Sequence, residues 1–143
     1  MRFPAILFAF TLLASPAKAD PASDTLALYQ ITAERAPFLM EILEDIGDPV
    51  ATADRIKVVV DAPVEAAIQE WMDAAFNSGG SSEPFRPFAA CYEAGSALMD
   101  FTAKVQRYLR GIDKTPFTTG DAEPFREKLG ACETALDLPV TFR

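Results

Sequence analysis

The 143-residue chain is half apolar, carries a net charge of −8 and contains no histidine. Such a balance repels phosphate backbones and anionic headgroups, which excludes nucleic acid and bulk anionic lipid as expected partners. The missing imidazole removes Ser-His-Asp and Cys-His nucleophilic sites, histidine metal ligands and Glu-x-x-His di-iron motifs.

The chain opens with Arg2, an apolar run of eleven residues from Phe3 to Leu13, and Ala17-Lys18-Ala19, whose small-x-small form suits a signal peptidase. These features predict a Sec-type signal peptide over residues 1–19, cleavage between Ala19 and Asp20, and a periplasmic or secreted product. Eleven apolar residues fall short of the roughly 17 to 25 that span a bilayer, so no membrane insertion is expected after cleavage. Residues 20–143 then form one domain by length, with 11 basic residues against 21 acidic ones and a net charge of −10. The charge is uneven. Residues 20–77 hold twelve carboxylates against Arg35, Arg55 and Lys57, whereas residues 78–143 hold nine against eight.

From Ser23 the chain predicts a helix, with Ser23 or Asp24 as cap and Leu28, Ile31, Phe38, Leu39, Ile42 and Ile46 at helical spacing up to Gly47. Pro37 should kink it. Glu41, Glu44, Asp45 and Asp48 stand at i, i+3, i+4 and i+7, which places four carboxylates on about one face. That row is the candidate contact for a basic protein partner. It is a poor calcium site, because calcium ligands usually wrap from a loop rather than a regular helix.

Asp48-Pro49 is a cap followed by a favoured first helical residue, and predicts a short second helix through Val50, Ile56, Val59 and Val60. The run Val58-Val59-Val60 could favour a strand, but with no second β-rich run to pair with, helix is expected. A third helix should restart at Pro63 with Asp61 or Ala62 as its cap, and with Val64, Ile68, Trp71, Met72, Ala75 and Phe76 inward. Trp71 is expected as a core anchor, with a ligand platform as its functional alternative. Asn77 to Ser82 reads as a loop; it lacks the Lys-Ser/Thr that would make it a phosphate cradle.

Glu83 to Gly111 is the longest helical pattern, predicting one helix of about 40 Å with Pro84 at its start and Gly111 closing it. Phe88, Cys91, Gly95, Leu98, Thr102, Val105 and Leu109 form its apolar stripe. Asp100 and Lys104 are spaced for an i,i+4 pair. The small side chains from Ala94 to Ala97 let a neighbouring helix approach closely; alternatively they open space beside Gly95 for a small apolar ligand. A last helix should open at Gly120 or Asp121, run through Phe125, Leu129, Cys132 and Leu136, and end at Pro139. Glu83-Pro84-Phe85-Arg86 recurs as Glu123-Pro124-Phe125-Arg126, which helix-start chemistry explains without a duplicated domain.

Two cysteines in an exported chain predict one disulfide, and an antiparallel return of the last helix along the long one brings Cys91 and Cys132 within reach. Neither lies in a Cys-x-x-Cys pair, so redox catalysis is not expected. The expectation is an all-α, single-domain bundle of four or five helices with one inter-helix disulfide, no cofactor and no metal. The leading functional expectation is a non-catalytic binding or inhibitory protein of immunity type, whose acidic N-terminal half engages a basic protein partner. A carrier of a small apolar ligand in the bundle core, and a hydrolase built on paired carboxylates, are the alternatives.

Overall fold

The first helix, α1 (Pro21–Glu44), starts at Asp20, whose carboxylate accepts from the Ala22 N–H at 3.2 Å while Pro21 fills a position where a missing N–H costs nothing. Ser23 and Asp24, the expected caps, lie inside its first turn. The computed structural model describes residues 20–139, so the expected signal segment and its cleavage lie outside the described residues. Pro37 sits within a continuous helix and leaves the carbonyl of Ala33 without its intrahelical donor. The helix ends at Glu44, so Ile46, expected on the apolar stripe, is exposed.

Asp48 caps α2 (Pro49–Ile56) as expected, accepting from the Ala51 N–H at 2.8 Å. The predicted restart at Pro63 does not occur. A π turn over Lys57–Asp61 joins α2 to α3 (Ala62–Asn77) without a break, and the Ala62 N–H reaches back five residues to the Lys57 carbonyl. The widened turn accommodates Pro63, which has no N–H to give an α ladder. Asp61 is not a cap. Its carboxylate instead accepts from the Thr102 hydroxyl and the Gln106 amide, both at 2.6 Å, pinning the turn to the next helix. Along α3, Val64, Trp71 and Ala75 are buried, whereas Phe76 is exposed because Ala75 takes the inward position of that last turn.

The long pattern from Glu83 also divides. Pro84 and Pro87 both lack the N–H that an α ladder needs, so Glu83–Phe88 forms a 3-10 turn and α4 (Ala89–Leu109) begins after it. The α-helix is therefore about 32 Å long rather than 40. Its far end closes as predicted: Gly111 is left-handed (φ +70°), its N–H bonds to the Tyr108 carbonyl, and the Ile112 N–H bonds to that of Arg107, each at 2.9 Å. Lys104 pairs with Asp121 at 2.5 Å, not with Asp100. A reciprocal bond between Thr118 and Asp121 opens a short 3-10 turn, and α5 (Glu123–Ala135) follows, ending before Pro139 with Asp137 left-handed.

The architecture is an all-α, four-helix bundle, counting α2, the π turn and α3 as one rod. α5 packs along α4, α1 lies against α3 and α4, and α2 rests on α4. Cys91, Ala94, Gly95, Leu98, Phe101, Thr102 and Val105 of α4 are all buried. Leu28, Leu39, Ile56, Val64, Phe85 and Leu129 surround that strip, each worth about 1.5–3 kcal/mol of burial. The disulfide joins Cys91 to Cys132 with Cα atoms 4.4 Å apart, tying α4 to α5. The repeated Glu-Pro-Phe-Arg stretch is the same device twice: Arg86 pairs with Glu83 at 2.9 Å, Arg126 with Glu123 at 2.7 Å, and Phe85 and Phe125 turn into the core.

Candidate interaction surface

Glu41 and Glu44 lie exposed in the last turn of α1, which has no basic residue, so both face the negative end of the helix dipole. The predicted row does not continue along one helix. Asp45 becomes the C-cap, and Asp48, beyond the helix end, commits an oxygen to capping α2. All four carboxylates remain exposed where α1 hands over to α2.

What distinguishes this region is its lack of counter-ions. In the second half of the chain, Glu83, Glu93, Asp113, Asp121 and Glu123 each pair with a cation at 2.9 Å or less. The Arg107 guanidinium bonded to Asp113 holds that carboxyl below its ordinary range. Asp121 is lowered likewise, by the Lys104 ammonium and then by the Thr118 N–H, and Glu93 raises the Lys128 ammonium. In the first half, Asp54 reaches Arg110 of α4 at 2.6 Å, and Glu34 meets Arg35 only at 4.0 Å. Glu41, Glu44, Asp45, Glu65 and Glu70 make no ion pair and no side-chain hydrogen bond among the described residues.

Beside Glu41 and Glu44 a trough opens between the second half of α1, the middle of α4 and the start of α5. Short side chains at Ala36, Pro37 and Ala122 keep its walls apart. Its larger part holds about 380 Å³ over a floor of Leu39, Leu98, Phe101 and Phe125. A second part of about 190 Å³ continues beside Leu43, Phe117 and Thr118. Met40, 44 % exposed, borders both, as do Glu44 and Phe101. Arg126 stands on the α5 wall, held by Glu123.

Two other hollows differ in kind. A polar cleft of about 560 Å³ lies between the π turn and the end of α4, and much of its charge is matched internally, by Asp54 with Arg110 and by Arg107 with Asp113. An aromatic hollow of about 340 Å³ is walled by Trp71, Phe76, Phe85 and Tyr92. Trp71 is nevertheless an anchor first: 8 % exposed, it donates its indole N–H to Thr25 Oγ1 at 2.9 Å and stacks on Tyr92 at 5.5 Å. At Gly95 the helices are close. A Cβ there would lie 3.1 Å from Ile68 Cδ1, so the space over the glycine is already filled.

Among the described residues no group of three or more Cys, Asp or Glu is placed to hold a metal ion, and no helix is long and apolar enough to cross a membrane. Sequence reading missed Phe101 and Met40. Phe101 follows Leu98 by three and could have joined the α4 stripe, whereas the trough is a gap between three elements that no local pattern encodes. Comparison with protein-family models, curated proteins and solved structures finds no match to this chain.

Proposed function

We propose that the protein is an exported, non-catalytic binding protein, of inhibitory or immunity type, that captures a basic protein partner through the acidic surface at the α1–α2 junction. One observation carries the reading: among the described residues Glu41, Glu44 and Asp45 have no counter-ion and crowd a helix end whose dipole disfavours them, while most carboxylates of the second half are matched. Placing unmatched like charges there costs stability, and a cationic partner would recover it on binding. Export rests on residues 1–19, and cleavage before Asp20 would leave α1 its own cap.

The test is capture of envelope or secreted proteins by the oxidised protein lacking residues 1–19, at low and at moderate salt, alongside a Glu41→Gln, Glu44→Gln, Asp45→Asn variant. A basic partner should be held by the wild type, released as salt rises and lost by the variant. Partners indifferent to both salt and variant would overturn the proposal.

The open trough of about 380 Å³ favours a second reading, carriage of a small apolar ligand, since its size falls in the range of ligand sites. It would lie beside Phe101 rather than in a closed cavity at Gly95. A co-purifying small molecule in native mass spectra would support it.

A further inference from the structure

We infer that the trough between α1, α4 and α5 receives a basic amphipathic helix, whose apolar face rests on Phe101 and Met40 and whose Lys or Arg side chains meet Glu41 and Glu44. The inference rests on the acidic-surface reading above and names the partner's form.

Chemistry decides first between a helix and an extended segment. The larger part of the trough is walled by helical turns, and Phe117 and Thr118 beside its smaller part belong to a loop and not to a strand, so there is no sheet edge to which an extended peptide could add. An extended segment laid over Phe101 and Phe125 would bury N–H and C=O groups without partners, whereas a helix brings its own. The shape agrees with paired anchors. The two compartments share Met40 and Phe101, and the second begins at Met40, four residues along α1 from Ala36 at the edge of the first. That offset is about 6 Å, the separation of apolar side chains three or four apart on a helix. Met40 is unbranched and exposed, able to repack around differing anchors.

Charge fixes the flank. Among the described residues Glu41 and Glu44 stand unpaired along the α1 rim, while Arg126 on the α5 rim is already matched by Glu123. A partner helix therefore needs cations on its α1-facing side and none on the other. A lipid surface fits poorly, because the net charge of the protein repels anionic headgroups.

The test uses the oxidised protein without residues 1–19 and three probes in titration calorimetry. One is a Leu/Lys peptide of about 14 residues with leucines at i, i+3, i+4 and i+7, near the length at which an isolated helix becomes stable. The second is its scrambled isomer without an apolar face, and the third is oligolysine. Met40→Ser and the pair Glu41→Gln, Glu44→Gln alter exposed positions, so both variants should keep the wild-type circular dichroism. The amphipathic peptide should bind about tenfold more tightly than its isomer, lose about threefold to tenfold with Met40→Ser, and lose both affinity and salt dependence with the double glutamine variant. Equal binding of all three probes, sensitive to the glutamines and not to Met40→Ser, would retain the acidic surface and remove the trough. Binding of the amphipathic peptide that ignores both salt and the glutamines would sink the acidic surface, and this inference with it. No binding by any probe would also overturn it.

Discussion

The phenol of Tyr29, in α1, donates a hydrogen bond of 3.0 Å to a carboxyl oxygen of Glu133, which is fully buried beside Cys132 in α5. This contact clasps α1 to α5 at one end of the bundle, while at the other end the same two helices stand apart and leave the trough. Tyr29→Phe keeps the ring and removes the donor. Because the bond it removes ends on a buried carboxyl, the variant should lose about 1–3 kcal/mol. Urea unfolding followed by circular dichroism would measure it, and an unchanged midpoint would show that the clasp adds nothing.

Two buried threonines on α1 should respond in opposite directions. Thr25 Oγ1 accepts the Trp71 indole N–H, so Thr25→Val strands that donor and should cost about 1–3 kcal/mol. Thr32 is as deeply buried, yet its hydroxyl has no hydrogen-bond partner among the described residues. Thr32→Val removes an unpaired polar group without changing shape and should be neutral or stabilising by up to about 1 kcal/mol. A clear loss at Thr32 in thermal unfolding would mean that its hydroxyl is satisfied in solution.

The disulfide closes a loop across 41 positions of the sequence. In the chain-entropy account, replacing both cysteines by alanine should cost up to about 4 kcal/mol, read from urea midpoints. Cys91 and Cys132 are also shielded, at 1 % and 0 % exposure. Reduction of the native protein should therefore be slow, and should accelerate with urea as the α4–α5 contact opens. Rapid reduction without denaturant would contradict the burial.

Acid should weaken the start of α5. Asp121 is held below its ordinary range by Lys104 and by the Thr118 N–H, so its contribution is fully present above the unfolded-chain value and lost as pH falls through the lower folded one. With an unfolded aspartate near 3.9, that window lies below about pH 4. Asp121→Asn should be less stable than wild type at neutral pH, and the gap should narrow as the solution is acidified below pH 4 or so. A gap independent of pH would remove the ion pair as its cause.

These contacts show where local pattern suffices. Asp48-Pro49, Gly111 and the Glu-Pro-Phe-Arg starts act through backbone chemistry within one or two turns, so their roles can be read from neighbours in the chain. Cys91 and Cys132 were legible for another reason, since two cysteines allow one pairing. The boundaries at Pro63 and Pro87 were not, because a proline's effect depends on whether the backbone widens, tightens or stops around it. Asp61 looked like a cap until Thr102 and Gln106, more than forty positions away, claimed its carboxylate. The acidic row was visible as composition and only partly as geometry. Its first two members share a helical turn, whereas the other two serve as caps on either side of a bend.

The π turn at Lys57–Asp61 carries one residue more than an α ladder of the same span needs, and its widened turn absorbs that residue so that the helix after it keeps the phase of the helix before. Each helical residue advances the azimuth by about 100°. In a uniform α ladder the extra residue would rotate α3 by roughly that angle and carry Trp71 away from Thr25, whereas deleting Val58, whose side chain is 69 % exposed, should leave a uniform helix in the same phase. The wide turn, rather than the valine, thus keeps the tryptophan aligned with its acceptor.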